Sequence, residues 1–276
     1  MCRWIAYSGA PIFMEQLVTS PSHSLVAQSL NTKMNFRADG SLWTTNGDGA
    51  GIGWYADKPS PGIYKDVRPA WNDENLHEIC TQIEAHIFFA HVRATTAGAV
   101  QRSNSHPFKY DKWLFQHNGE VKDFPAVRRD LQMEIAPELY PELKGTTDSE
   151  TFFLLALTYG LRENPKAALQ RMVERVEQAC RENKINILLN LSCALSDGET
   201  VYTFRYAKGD KPKTQFYSIE PDCARDISHE CALLPRNSVV VVSEPLDPLS
   251  DQWIVVPENS FTTIRKGQVF VEDFMA

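Results

Sequence analysis

The chain has 276 residues, of which 43% are hydrophobic and 23% charged. That is an ordinary globular mix, sufficient for one large domain or two small ones without a disulfide or structural metal. Its 28 Lys and Arg against 35 Asp and Glu give a net charge of −7, which argues against nucleic acid as a partner, because phosphate binding needs a basic face.

Residues 2–7 (CRWIAY) are rich in β-formers and nearly alternate, which predicts a strand. Leu25, Val26, Ala27 and Leu30 mark a weakly helical stretch within 23–35. From Asp39 to Gly53 the chain is glycine-rich and reads as a loop entering a strand at 52–55. Pro59, Pro61 and Pro69 mark 57–70 as loop. A helix over about 73–84 leads into 86–92 (HIFFAHV), a buried strand. Another short strand, 113–116, ends in His117-Asn118-Gly119, and Asn-Gly is a hairpin-turn dipeptide. Thr147 or Asp148 caps a helix that buries Phe152, Phe153, Leu155, Ala156 and Tyr159. Pro165 opens a second helix, with Leu169, Met172, Val173 and Val176 as its apolar stripe. Strands follow at 185–195, 200–206, 238–243, 252–256 and 261–271, with turns at Asp197-Gly198, Gly209-Asp210 and Lys266-Gly267. Strand runs and helix runs are segregated, so the class is α+β rather than doubly wound. A single domain on a large sheet pair is expected.

The six cysteines (Cys2, Cys80, Cys180, Cys193, Cys223 and Cys231) form no Cys-x-x-Cys pair, so reduced thiols and a cytoplasmic location are expected. No apolar run reaches the ~18 residues of a membrane helix, and the N-terminus lacks the apolar region of a signal peptide. Cys2 differs from the other five because it follows the initiator methionine. Removal of Met1 would leave a thiol and a free α-amine on one carbon. The amine has an ordinary pKa of ~7.7–8.0 and can serve as base to its own nucleophile.

Four further motifs carry candidate chemistry. In His91-Val92-Arg93-Ala94-Thr95-Thr96, an arginine at a strand end can clamp a carboxylate, although a surface Arg paired with a nearby acid is commoner. In Asn104-Ser105-His106-Pro107-Phe108, the histidine before proline is held extended and orients a substrate or simply a turn. In His117-Asn118-Gly119, a side-chain amide and a backbone N–H can point two donors at a developing oxyanion, against the plain reading as a turn. Thr147-Asp148-Ser149-Glu150 is a helix start whose Asp can also bind an ammonium group. A thiol, an amine and an oxyanion hole suit amide hydrolysis. A carboxylate clamp and an ammonium acceptor suit an amino-acid head. Glutamine fits both.

In order and spacing, Cys2, HVRATT, NSHPF, HNG and TDSE resemble the class II glutamine amidotransferases, a family of N-terminal-nucleophile hydrolases. The later Ser243-Glu244-Pro245-Leu246 and Trp253 resemble its stand-alone, YafJ-like members. The resemblance implies a four-layer αββα sandwich of two antiparallel sheets, as a single domain over 2–276. It implies Cys2 as nucleophile with its α-amine as base, and Asn118 and Gly119 as the oxyanion hole. It also implies Arg93 on the substrate carboxylate, Asp148 on its ammonium, and Thr96 and His106 around the pocket. No metal or organic cofactor is implied, and the nearest metal-like cluster, Cys223, His229 and Cys231, reads as structural. Many synthase-linked members carry Trp where this chain has Ala94, which leaves a more open pocket. The expected reaction is cleavage of the glutamine γ-amide through a γ-glutamyl thioester, with ammonia passed to a separate acceptor protein. The alternatives are hydrolysis of a glutathione-like or other γ-glutamyl compound, and a non-catalytic binding module.

Overall fold

A computed structural model describes residues 2–36, 40–95, 99–218, 234–247 and 252–275. In chain order it contains β1 (Arg3–Phe13), α1 (Glu15–Val18), α2 (Leu25–Leu30), β2 (Ala50–Tyr55), β3 (Gly62–Asp66), α3 (Glu74–Gln82), β4 (Glu84–Val92), β5 (Phe108–Tyr110) and β6 (Trp113–Val121). There follow α4 (Phe124–Gln132), α5 (Asp148–Thr158), α6 (Pro165–Glu182), β7 (Leu189–Ser196), β8 (Val201–Lys208), β9 (Phe216–Ser218), β10 (Val239–Val242), β11 (Trp253–Val255), β12 (Ser260–Arg265) and β13 (Gln268–Asp273).

The strands form a seven-stranded sheet, β11-β9-β10-β1-β4-β2-β3, and a six-stranded sheet, β13-β12-β8-β7-β6-β5. The registered pairs are antiparallel throughout. Three apolar clusters define four layers. Leu17, Val18, Leu25, Leu76 and Cys80 of α1–α3 pack on Ile5, Tyr7 and Phe88 of the first sheet. Trp4, Ala6, Phe89, Leu114 and Val241 fill the space between the sheets. Val127, Leu131, Phe153, Leu169 and Val173 of α4–α6 cover the second sheet. The α+β class and the αββα order expected from the sequence are both present. Strands buried on both faces, such as β1 and β4, read as nearly continuous apolar runs because each face meets a core.

The inner face of the second sheet is graded in polarity. Along β6 it passes from Leu114 through Gln116 to Asn118. Along β7 it runs from Ala194 through Ser192 to Asn190, along β8 from Val201 to Arg205, and along β12 from Ile264 to Ser260. One end of the inter-sheet layer is therefore apolar and the other is lined by buried polar groups.

Several local expectations need correction. The 57–70 stretch is not all loop: β3 lies inside it, at a sheet edge where flanking prolines are tolerated. His117-Asn118-Gly119 is not a hairpin turn, because β6 continues through it and pairs with β7 as far as Val121. The 261–271 stretch is the hairpin of β12 and β13, which turns at Lys266-Gly267 as expected. α1, α4, β5 and β9 have no counterpart in the sequence reading. At α5 the cap is Thr147, whose Oγ1 accepts from Glu150 N at 3.3 Å. The Cys223–His229–Cys231 cluster lies outside the described residues. Among the described residues no helix is long and apolar enough to cross a membrane, and Cys2, Cys80, Cys180 and Cys193 are free thiols.

Phe153 tests the outer core. It is buried on α5 and stacks on Phe115 of β6, with ring centroids 5.4 Å apart. Phe153→Ala is expected to cost ~3–5 kcal/mol in urea denaturation. A loss below ~1 kcal/mol would show that α5 does not depend on that contact.

Candidate active site

The predicted site residues gather at the polar end of the inter-sheet layer. The β1–β4 ladder begins at Arg3–Val92, which puts Cys2 beside the end of β4. The half-buried Cys2 thiol donates to Ala94 O at 3.7 Å. The chain beyond β4 is held by a second segment: Arg93 N donates to Gly49 O at 2.8 Å, Asp48 N to Arg93 O at 2.9 Å, and Thr95 N to Asp48 Oδ2 at 2.8 Å. Arg93 is buried. Its Nη1 donates to Ala99 O at 3.4 Å and its Nη2 to Thr95 Oγ1 at 3.2 Å. Among the described residues no carboxylate lies within ion-pair distance of it, so its charge stands uncompensated by a carboxylate. Thr96 lies outside the described residues.

β6 crosses behind this end. Gln116 Nε2 donates to Ile5 O at 2.9 Å, and His91 Nε2 donates to His117 O at 3.2 Å, with His91 registered against Trp4. As the chain advances along β6 it thus moves toward the start of β1, and Asn118 falls level with that start. The Asn118 side chain is fully buried, yet neither its Nδ2 nor its Oδ1 has a partner among the described residues. Leaving a buried amide unbonded costs ~1–3 kcal/mol per group, so such a group points to a use. Gly119 follows with φ 155°, and a Cβ there would lie 1.8 Å from Asn190 O and 2.6 Å from His117 Nε2. Only glycine fits between β6 and β7 at this point.

Asp148 begins α5 and is half-buried. Its Oδ2 accepts from Val121 N at 3.1 Å and its Oδ1 from Ser149 N at 2.7 Å. Ser149 Oγ lies 2.9 Å from His117 Nδ1, and His117 Nε2 lies 3.3 Å from Asn190 O. A carbonyl only accepts, so the neutral His117 ring carries its proton on Nε2, and its Nδ1 shares the Ser149 hydroxyl proton with Asp148 Oδ1, 3.2 Å from that hydroxyl. Helix α5 is thereby fastened to the strand that carries Asn118 and Gly119.

His106 stacks on His91, with ring centroids 4.2 Å apart, and meets Phe108 edge-on. Both of its ring nitrogens are buried without partners among the described residues. Burial pushes all three imidazoles down. His91 falls to about 3, the bond to His117 O opposing burial and the Arg93 charge adding to it. His106 also falls well below its ordinary value, through burial and its histidine, Lys65 and Arg93 neighbours. His117 also falls, against the opposing charge of Asp148. All three are neutral at neutral pH. Among the described residues no group of three or more His, Cys, Asp or Glu is arranged to hold a metal ion.

The chain's residues 14–274 match the family model described as "Glutamine amidotransferases class-II". The chain belongs to this family. It is accordingly an enzyme. It is 31% identical to the probable glutamine amidotransferase DUG3 of Saccharomyces cerevisiae, over 98% of this chain and 84% of that one. It is 30% identical to the gamma-glutamyl-hercynylcysteine sulfoxide hydrolase of Mycolicibacterium smegmatis, over 98% and 99%. Among solved structures, a glutamine aminotransferase class-II domain protein from Silicibacter pomeroyi superposes with TM-score 0.73 and 31% identity, over the whole of both chains. The glutamine phosphoribosylpyrophosphate amidotransferase of B. subtilis matches with TM-score 0.66 at 12% identity, over 49% of its own chain, which shows a shared fold, that of the N-terminal-nucleophile hydrolases.

Sequence reasoning quoted His91, His117 and Ser149 only as parts of motifs and missed Arg3 and Asp48. An arginine inside an otherwise apolar strand is a legible signal, since a buried charge demands a partner. Asp48, in a glycine-rich loop, carries no such signal.

Two outcomes follow from this geometry. Gly119→Ala is expected to destabilise the fold by at least ~1 kcal/mol and to lower turnover by ~10²-fold or more; unfolding curves and steady-state rates check both, and a fully active, stable variant would refute the fit. The three depressed histidines favour the folded state above their unfolded pKa of 6.5, and that contribution is lost as pH falls from 6.5 toward their folded values, about 3 for His91. Each proton taken up on unfolding steepens the loss by ~1.4 kcal/mol per pH unit. His91→Gln is expected to flatten the dependence of unfolding free energy between pH 6.5 and 5, and an unchanged slope would contradict a buried neutral ring.

Proposed function

We propose that the protein hydrolyses a γ-glutamyl amide bond with Cys2 as nucleophile, and that residues 2–276 act as one class II glutamine amidotransferase-type domain. Glutamine is the smallest such substrate and releases ammonia; larger γ-glutamyl compounds release an amine. The observation that carries this reading is the Asn118 amide, buried without a partner among the described residues and level with the start of β1, which Cys2 precedes.

Removal of Met1 frees the Cys2 α-amine. The amine takes the thiol proton, and the thiolate sulfur forms a bond to the γ-carbonyl carbon. Asn118 Nδ2 and the Gly119 N–H donate to the resulting oxyanion; a donor of this kind is worth about 10²–10³ in rate. The C–N bond then breaks as the ammonium of Cys2 passes its proton to the leaving nitrogen. A γ-glutamyl thioester remains. Water, giving its proton to the same amine, adds to the thioester carbon, and the C–S bond breaks to release glutamate. Arg93 pairs with the substrate α-carboxylate and Asp148 with its α-ammonium. His106, neutral and stacked, forms pocket wall.

Two features favour a substrate larger than glutamine. Ala94, whose carbonyl accepts from the Cys2 thiol, carries only a methyl group where many synthase-linked members of the family carry Trp. The relative that matches over 99% of its length is named a gamma-glutamyl-hercynylcysteine sulfoxide hydrolase. In this reading an ammonia-acceptor protein is not required.

Cys2→Ala is expected to lower turnover by at least ~10³-fold while leaving the unfolding curve unchanged. Rates on glutamine, glutathione and a series of γ-glutamyl amides test the substrate class, with the larger amides expected to give the higher kcat/KM. Efficient turnover of glutamine alone, dependent on an added partner protein, would overturn the preference for larger amides. Full activity in Cys2→Ala would end the mechanism.

A further inference from the structure

Cys2 stands ahead of the β1–β4 ladder, which begins at Arg3–Val92. Among the described residues its thiol makes one weak hydrogen bond, to Ala94 O. Something else must fix the peptide from which the thiol and the amine project. The next side chain does so. Arg3 is 1% exposed, and its Nη1 donates to the Cys2 carbonyl at 2.9 Å. Its Nε is shared between Glu244 Oε2 at 2.7 Å and Thr32 Oγ1 at 2.9 Å. Glu244, 2% exposed, also accepts from His23 Nε2 at 2.7 Å, Lys33 N at 2.7 Å, Met34 N at 3.1 Å and the Thr32 hydroxyl. Gln28 Nε2 donates to the Glu244 carbonyl at 3.2 Å. Three segments thus hold one guanidinium: the start of β1, the stretch 32–34 and the turn after β10. Its Nη2 is buried without a partner among the described residues.

We propose that Arg3 is a positioning residue for Cys2: clamped by Glu244, it fixes the Cys2 carbonyl and so the place of the thiol and the α-amine. This rests on the reading of Cys2 as nucleophile. The planar fork of arginine reaches a carboxylate and a carbonyl at once, which a lysine ammonium on its flexible stem does not do with the same geometry. The guanidinium touches no reacting atom. It acts through the peptide it holds.

The test compares Arg3→Lys, Arg3→Met and Glu244→Gln with the parent enzyme, using a γ-glutamyl amide the parent turns over. Rates are expressed per Cys2 thiol titrated by iodoacetamide in the folded protein, so loss of folded protein does not count as loss of catalysis. The expected result is a ~10²-fold fall in kcat for Arg3→Met and Glu244→Gln, since an ångström of misplacement costs about that much, with KM changed less than about 3-fold and partial recovery in Arg3→Lys. A kcat per titrated thiol within about 3-fold of the parent would overturn the proposal. If Arg3→Met and Glu244→Gln do not fold, Thr32→Val, which removes only the hydroxyl shared by the pair, decides: a several-fold fall in kcat supports positioning, and an unchanged kcat refutes it. Cys2→Ala is the control. If it retains activity, the nucleophile reading itself is wrong; if it is inactive while the Arg3 variants keep the parent kcat, only the positioning role fails.

Discussion

A buried ion pair joins the two ends of this fold. Arg3 and Glu244 are 241 positions apart in sequence and 2.7 Å apart in space. Desolvating either charge alone would cost several kcal/mol, and such a pair repays that cost only with close geometry and further hydrogen bonds. Both conditions are met. Burial by itself would raise the Glu244 carboxyl, but the His23 bond, the Arg3 charge and the Thr32 and Lys33 donors outweigh it and hold the group at about 2. A pair of this kind is poor evidence of net stability, yet losing one partner leaves the other uncompensated at ~3–5 kcal/mol. What the pair supplies is location. It brings β1, the 32–34 stretch and the turn after β10 to one point, and that point is the carbonyl of Cys2.

The second determinant is the polarity gradient between the sheets. Apolar packing at one end, from Trp4, Phe89, Leu114 and Val241, sets the spacing of the two sheets. At the other end the same spacing encloses Gln116, Asn118, Ser192, Thr203 and Gln215, all buried. Some of these satisfy one another, as in the chain from Ser192 through Gln215 to Thr203. Asn118 does not. The contrast separates polar groups that tie the sheets together from an amide with no partner among the described residues, the donor that the proposed mechanism uses. The low-dielectric surroundings also keep His91, His106 and His117 uncharged, so Arg93 is a fixed positive charge beside neutral rings.

Much of this was legible in the sequence, and the remainder fails for identifiable reasons. The long apolar strands, the Thr147 cap and the Pro165 helix start are local signals, and they were read at or near their true places. The motif order pointed to the family. The Asn-Gly dipeptide misled because its turn preference is local, whereas its place in β6 is set by pairing with β7, some seventy residues on. β3 was hidden by the prolines that flank it. The partners of the site residues were invisible: nothing near Arg3 in sequence names Glu244, and nothing near Asp148 names Val121 N. Sequence motifs thus pointed to the family, while long-range pairing decides how the residues of those motifs are held.

Helix α5 shows where this architecture leaves room for change. Its residues Ser149 to Leu157 are buried on every side, and its first turn holds Asp148 against Val121 and Ser149 against His117. In the proposed reading the amino-acid end of the site is therefore part of the core, and an altered residue there disturbs packing and recognition together. Around Arg93, by contrast, Gly49 and Ala99 contribute only carbonyl oxygens, and Asp48 contributes its backbone N–H and, to Thr95, its carboxylate. On that reading, descendants of this fold diverge in what they release from glutamate by redrawing those stretches, while the groups that grip glutamate are inherited with the core itself.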